Sequence, residues 1–497
     1  MRMIAVVVLS ALVSAAAGQR AVHVEGDPVA DREFGRPISI SMNARGGLAF
    51  SVAAVGDRPS GIVGPNAVAI LGRESWAGPL RIEREPQIIG GFSQTAFAAS
   101  VALTEDDLFY LTKGLSTFLH VWRDDTRILQ TGDAVSNRPG ASFGSSSELL
   151  SKPGDGLWLW MTPQPRPGGL ALGSVSRWSD GGGLEIIAEA LDTAEDPLAG
   201  PIPFRLAGSS YLFDRWWNGA GDQWIASAFI EDLGTNWMLI GPDGVFSVDG
   251  EPIRTPLEIG PSLTPDIGAT WFRVATTKCN SHGDWIALVL GTDRMRIVYN
   301  GQEVLSEGQV VQTPRGPRSL VTGTIWRLEV NEQGDWAAIV GTSASGERVL
   351  IVNGEVVAIT GTDADRTGDG VAESDTRLTD LGSGFPNSTV LSDRIGSRIV
   401  LTTVTTLRVG NAERFAIHEF ETLAPGACSA VDLSGAQTPG IPDGTLTGAD
   451  FFRFLSLFGD GDLQADLAGA GGTGPPDGRL TGGDFFAFLA AFSAGCG

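Results

Sequence analysis

A short pattern recurs along most of this 497-residue chain and limits what it can fold into. Its clearest form is Asn331-Glu-Gln-Gly334-Asp-Trp336-Ala337-Ala338, or N-x-x-G-x-x-apolar-apolar. It sits within residues Ile325–Ile359, where Trp326–Val330, the run through Trp336, Ala337 and Ile339, Arg348–Val352 and Glu355–Ile359 read as short strands. Asn353-Gly354 separates the last two, a dipeptide suited to a two-residue hairpin because both positions take positive φ. One such unit leaves an apolar face uncovered, so it has to be repeated to form a core.

The repetition is present. Close relatives are Asn43-Ala-Arg-Gly46-Gly-Leu-Ala49-Phe50, Asn218-Gly-Ala-Gly221 and Asn280-Ser-His-Gly283-Asp-Trp285, with degenerate copies beginning at Gly90, Ser151 and Asp393. The seven heads lie 47 to 67 residues apart, about 58 on average, a length that holds a four-stranded blade with generous loops. Hairpin signals return at Asn300-Gly301 and Asp249-Gly250. The expected fold is all-β, a seven-bladed β-propeller over residues 19–424. A stacked β-solenoid is the rival, and the variable spacing suits a propeller better. Ala21–Glu25, followed by Gly26-Asp27, reads as a strand that closes the last blade and so removes exposed sheet edges.

Charge and export narrow the function. A net charge of −23 argues against nucleic-acid backbone binding, which needs clustered Lys and Arg. Arg2, the apolar run Ile4–Val13 and the small residues Ala15-Ala16-Ala17-Gly18 read as a secretory signal over residues 1–18, cleaved after Gly18. That run is short for a bilayer span and no later segment supplies one. The expected product is secreted, extracellular or at the cell surface, with no transmembrane segment in the mature chain.

No catalytic constellation is legible. The four histidines, His23, His120, His282 and His418, have no metal-ligand spacing, and nucleophile-elbow, phosphate-loop and dinucleotide motifs are lacking in convincing contexts. His282 reads as a surface loop residue and Cys279 as a small buried one. All 13 Trp lie between Trp76 and Trp336, mostly as packing residues, with Trp216-Trp217 the pair best placed to offer a ring to a sugar. Between the last two heads, Asp363-Ala-Asp365-Arg-Thr-Gly-Asp369-Gly370-Val-Ala-Glu373-Ser-Asp375 gathers oxygen donors around a glycine turn, a composition that suits calcium. Asp375 falls one place early for an EF-hand loop that begins at Asp365.

After Leu423-Ala-Pro-Gly-Ala the chain changes character. From Cys428 onward there are eight Asp, no Glu, two Arg and no Trp. This segment is a duplication: VDLSGAQTPGIPDGTLTGADFFRFLSLF aligns with ADLAGAGGTGPPDGRLTGGDFFAFLAAF at an offset of 34 residues. Asp432 matches Asp466, Asp443-Gly444 matches Asp477-Gly478, and Asp450 matches Asp484. A helix is expected after each last Asp, because Phe451, Phe454, Leu455 and Phe458, then Phe485, Phe488, Leu489 and Phe492, follow the i, i+3, i+4, i+7 pattern.

On these residues the segment 425–497 resembles a dockerin-type module, in particular the Gly-Cys-ending variant of secreted planctomycete-like bacterial proteins. The shared features are a Cys before the first ADL-like tripeptide, two PDG-x-L-x-x-x-DFF repeats and the terminal Gly495-Cys496. The upstream N-x-x-G-x-x-A-F heads are similar to tandem repeats found ahead of surface-anchoring modules. The resemblance implies calcium as cofactor, paired EF-hand-type loops, and a cohesin-like or cell-surface partner. By position it implies Asp432, Asp443, Thr445 and Asp450, then Asp466, Asp477, Arg479 and Asp484, as calcium ligands, Thr445 and Arg479 through backbone carbonyls. The pattern departs from the family where a loop ending at Asp450 would begin at Pro439, which has no side-chain donor. Export and the bracketing positions also make a Cys428–Cys496 disulfide an expectation.

The function expected is a non-catalytic binding or scaffold protein, with a carbohydrate or protein ligand for the propeller. A polysaccharide-acting enzyme carrying a dockerin and a structural surface component are the alternatives.

Overall fold

The computed structural model describes residues 19–25, 28–29, 32–43, 46–54, 67–75, 97–103, 108–113, 119–123, 126–151, 157–164, 174–189, 192–196, 200–206, 217–220, 222–230, 237–248, 251–253, 271–291, 294–321, 327–367, 371–382, 388–394, 397–425, 427, 429–434, 445–462, 465–468 and 479–496. Residues 1–18, Gly90 and Trp216 lie outside them.

The described chain is mostly strand, with two helices near its end. Its strands form seven antiparallel sheets of four to six strands, together with one two-stranded ribbon. Six sheets follow in chain order, within residues 28–75, 97–130, 142–189, 193–245, 271–306 and 310–359. The seventh joins both ends of the β region: Gln19–Val24 pairs with Ala412–Leu423, which pairs in turn with Arg398–Val409. The strand expected at Ala21–Glu25 does close the final sheet.

The innermost strands contact one another in sequence. Arg32–Met42 lies beside Phe97–Leu103, that strand beside Ser142–Ser151, then Trp217–Ala220, Trp271–Cys279, Arg327–Val330 and Thr389–Leu391. Thr389–Leu391 meets Arg32–Met42 again, so the seven sheets make a closed circuit.

The apolar runs follow from that arrangement. All seven residues of Trp336–Thr342 are buried, although strand side chains alternate between two faces. Trp336, Ala338 and Val340 enter the core shared with the preceding sheet, through Ile286 and Leu288. Ala337 and Ile339 enter the core shared with the next, through Leu378, Ile399 and Leu401. Both faces are covered, which is why the sequence shows a continuous apolar run instead of an alternating one. The same division separates Trp158 and Trp160 from Leu157, Leu159 and Met161.

The head motif has a physical role. In three copies it joins the innermost strand of a sheet to the next strand in the chain, with which that strand pairs, and its Asn bridges the loop. The Asn331 amide N–H donates to the Asp335 carbonyl at 2.9 Å, while its Oδ1 accepts from the Asp335 N–H at 2.8 Å. Asn280 and Asn43 repeat the bridge to Asp284 and Gly47. Gly283 and Gly334 take φ of 90° and 79°, the left-handed region that favours glycine. The loops also bind sheet to sheet: Asn280 Nδ2 donates to the Asn331 carbonyl and Asn331 Nδ2 to the Ser392 carbonyl, each at 2.9 Å. Arg394 then clasps both oxygens of buried Asp335 at 2.7 and 2.8 Å. Asn300-Gly301 and Asn353-Gly354 have positive φ at both positions, as the hairpin reading requires.

Two heads are misplaced by the sequence pattern. Asn218 lies within Trp217–Ala220, paired with Ile225, so it is a strand residue and not the loop bridge. In the second sheet the equivalent connection joins Phe97–Leu103 to Leu108–Lys113, well after Gly90. A Gly-rich chain offers chance matches, and there the strand register outweighs the pattern.

Candidate functional site

The duplicated C-terminal segment contains the two helices, α1 (Gly448–Asp460) and α2 (Gly482–Ala494). Each starts at a Thr N-cap, Thr447 or Thr481, whose Oγ1 accepts from the backbone two residues on, at 3.1 Å in both copies. Gly461, at φ 75°, ends α1. The helices meet through Phe454 and Phe488, fully buried and stacked with ring centroids 4.1 Å apart. Val431, Leu433, Leu457 and Ala465 complete this small core. The segment rests on the seventh sheet: buried Arg398 donates to the Asp466 carbonyl at 2.9 Å, and Ser397 Oγ to the Ser429 carbonyl at 2.8 Å.

Asp450 and Asp484 are fully buried, and their surroundings are nearly identical. Asp450 Oδ1 accepts from the Leu433 and Ser434 amides at 2.7 and 2.8 Å. Its Oδ2 accepts from the Thr447 amide at 2.7 Å and the Thr447 hydroxyl at 3.2 Å. Asp484 repeats every bond: Leu467 and Ala468 amides at 3.0 Å on Oδ1, and the Thr481 amide and hydroxyl at 2.8 and 3.1 Å on Oδ2. Burial alone would raise the Asp484 carboxyl. The Thr481, Ala468 and Leu467 amides and the Thr481 hydroxyl outweigh it and hold the group below the ordinary carboxylate range.

This geometry bears on the calcium expectation. A carboxylate offers about four lone-pair directions, and in each copy four donors occupy them. As placed, Asp450 and Asp484 do not fit a bidentate cation site; they are capping-box residues that also tie an upstream turn to the helix start. Asp432 and Asp466 are buried, Thr445 and Arg479 are exposed, and Asp443 and Asp477 lie outside the described residues. Among the described residues no group of three or more His, Cys, Asp or Glu side chains converges on a point that could hold a metal ion.

The loop at 363–375 is likewise held by protein groups. Asp363 pairs with Arg377 at 2.9 Å. Asp365 is fully buried, Asp375 is exposed with Oδ1 accepting from the Thr376 hydroxyl, and Asp369 lies outside the described residues. Glu373 binds the Arg366 and Thr367 amides at 2.7 and 3.3 Å. A residue missed in the sequence anchors this loop from below: His418 is buried, and its Nε2 lies 2.6 Å from the Asp365 carbonyl and its Nδ1 2.7 Å from Thr405 Oγ1. A carbonyl can only accept, so Nε2 carries the proton and Nδ1 accepts from the hydroxyl. Burial lowers the His418 pKa and favours this neutral form.

Elsewhere, Cys279 is a buried cysteine outside any disulfide and His282 is exposed; Cys428 lies outside the described residues. On the inner strands, Glu329 lies 3.3 Å from Lys278, both buried. That carboxylate is held in a buried ion pair.

No family model and no curated protein matches this chain. Among solved structures it is similar to Hsv2 from Kluyvelomyces marxianus, at 8% identity and a TM-score of 0.34, over 74% of this chain and 93% of that one. Apo AztD from Citrobacter koseri matches at 12% and 0.34, over 82% and 99% of the two chains. A subtype N11 neuraminidase-like protein of A/flat-faced bat/Peru/033/2010 matches at 8% and 0.29, over 82% and 96%.

Proposed function

We propose that this chain is a secreted, non-catalytic binding or scaffold protein, a seven-bladed β-propeller carried by a C-terminal dockerin-like module. The closed circuit of sheets supports the propeller, and the absence of a helix long and apolar enough to cross a membrane, among the described residues, is compatible with export. Cys279 takes part in no disulfide, which supports a Cys428–Cys496 pairing, since those are the other two cysteines of the chain.

The observation that carries the docking reading is a pair of exposed rings. Phe452 and Phe486 are 71% and 70% exposed, and they are equivalent positions in the two repeats. Large apolar side chains displayed twice by a duplicated unit mark an interaction surface. The partner this reading names is a cohesin-like or cell-surface receptor. Glu329 is already paired with Lys278, and so offers no support to the polysaccharide-acting alternative, which needs two facing carboxyls.

The test is binding of the full-length protein to immobilised cohesin-like domains, compared with the Phe452→Ala/Phe486→Ala double variant. Loss of binding with an unchanged unfolding curve supports the assignment. Equal binding by the variant, or none by the native protein, refutes it.

A further inference from the structure

We propose that the carboxylates of Asp450 and Asp484 stand in for a metal, so that the duplicated module folds and stays folded without a divalent cation at either repeat. This goes beyond the docking reading and does not depend on it.

The argument begins with what a loop-ending acid does in a cation-dependent hand. Its oxygens point at the ion, and the loop stays open until the ion arrives. Here each acid points at protein. In the first repeat Asp450 reaches back 16 and 17 residues to the Ser434 and Leu433 amides, and on its other oxygen takes the amide and hydroxyl of Thr447. Two successive backbone N–H groups and a helix N-terminus form an anion cradle, and the carboxylate fills it. The second repeat places the same four donors around Asp484.

Two features make this a folding device and not a coincidence of one side chain. The clasp joins the segment before each loop to the helix after it, which is the connection a loop-bound ion would otherwise supply. It is also made twice, and both copies feed one core through the Phe454–Phe488 stack. A cation taken by Asp450 or Asp484 would displace buried N–H groups from their acceptor, leaving them without partners. Calcium and the clasp are therefore alternatives at these positions.

Hydrogen exchange read by mass spectrometry on the full-length protein distinguishes them, with calcium content measured by equilibrium dialysis. The expected result is no stoichiometric calcium, and equal protection of Leu433, Ser434, Leu467, Ala468 and both helices in millimolar calcium and in excess chelator. Asp450→Asn should speed exchange at Leu433 and Ser434 by about tenfold or more, with or without calcium, and Asp484→Asn should do so at Leu467 and Ala468. The double variant Asp443→Asn/Asp477→Asn removes carboxylates that a loop-bound ion would use and should leave protection unchanged. One calcium per repeat, with protection lost in chelator or in the Asp443/Asp477 variant, overturns the proposal. If the Asp450 or Asp484 variants fail to fold, the chelator comparison on the native protein still decides. A failure of the cohesin-like binding assay would not bear on any of these readouts.

Discussion

Asn331→Ala tests whether the head loops bind the sheets together. The side chain is buried, accepts from the Gln333 and Asp335 amides at 3.1 and 2.8 Å, and donates to Asp335 Oδ2 at 3.0 Å and the Ser392 carbonyl at 2.9 Å. Alanine removes the amide and leaves the Asp335 N–H and the Ser392 carbonyl without it, both within buried residues. At about 1–3 kcal/mol for each buried group left unsatisfied, the cost is about 2–6 kcal/mol, centred near 4. Urea unfolding followed by tryptophan fluorescence is the assay, because every Trp lies between Trp76 and Trp336 and so reports on the sheets, not the C-terminal module. Asn280→Ala should cost a similar amount, its bonds being equivalent. A loss below about 1 kcal/mol in both variants, within the range of one ordinary hydrogen bond, would refute the reasoning and make the heads turn signals only.

Gly334→Ala should destabilise by about 1–3 kcal/mol from its positive φ alone, and by more because the added Cβ would lie 2.8 Å from the Tyr299 hydroxyl; thermal unfolding measures it. Tyr299 is pushed up to about 12, first by burial and then by Asp284 and Asp335. Its contribution is fully present below the unfolded value near 10 and is lost as pH rises towards 12, so stability should fall across that window. Spectrophotometric titration of the three Tyr should show one ionising late, and the fall should vanish in Tyr299→Phe. Phe454→Ala removes a fully buried ring stacked on Phe488 and should cost the module about 3–5 kcal/mol, seen as lost exchange protection in both helices while the sheets keep theirs.

How far the sequence reaches is set by how local the determinant is. Asn353-Gly354 and the run at Trp336–Ile339 were readable because a hairpin turn and a two-sided apolar strand each leave their mark within a few residues. The strand at Gln19–Val24 was readable for a different reason, since a set of sheets that closes must find a partner for its last edge. Asn218 and Gly90 were misread because a four-residue pattern carries no register, and register is fixed by pairing with distant strands. At Asp450 and Asp484 the helix starts were legible but the chemistry was not. The T-x-x-D spacing at Thr447 and Thr481 is itself a capping signal. That the same carboxylates bind the Leu433 and Leu467 turns depends on chain folding that no spacing encodes. His418 shows the same limit, for its partners Thr405 and Asp365 come from a neighbouring strand and a loop.

The pairing of Gln19–Val24 with Ala412–Leu423 also sets a timetable. These partners are about 400 residues apart in the chain, and synthesis at about 5–20 residues per second leaves the first strand waiting some tens of seconds for its mate. Bringing such distant ends together costs about 5 kcal/mol of chain entropy before any bond rewards it. The earlier sheets can assemble through their own short hairpins during that interval, whereas closure has to wait for Ala412–Leu423 to be made. Until it happens, Ala412–Leu423 presents a bare edge to any extended segment nearby. A second copy of the same N-terminal strand is the best-matched intruder, which makes strand exchange between newly made chains the characteristic misassembly of this architecture.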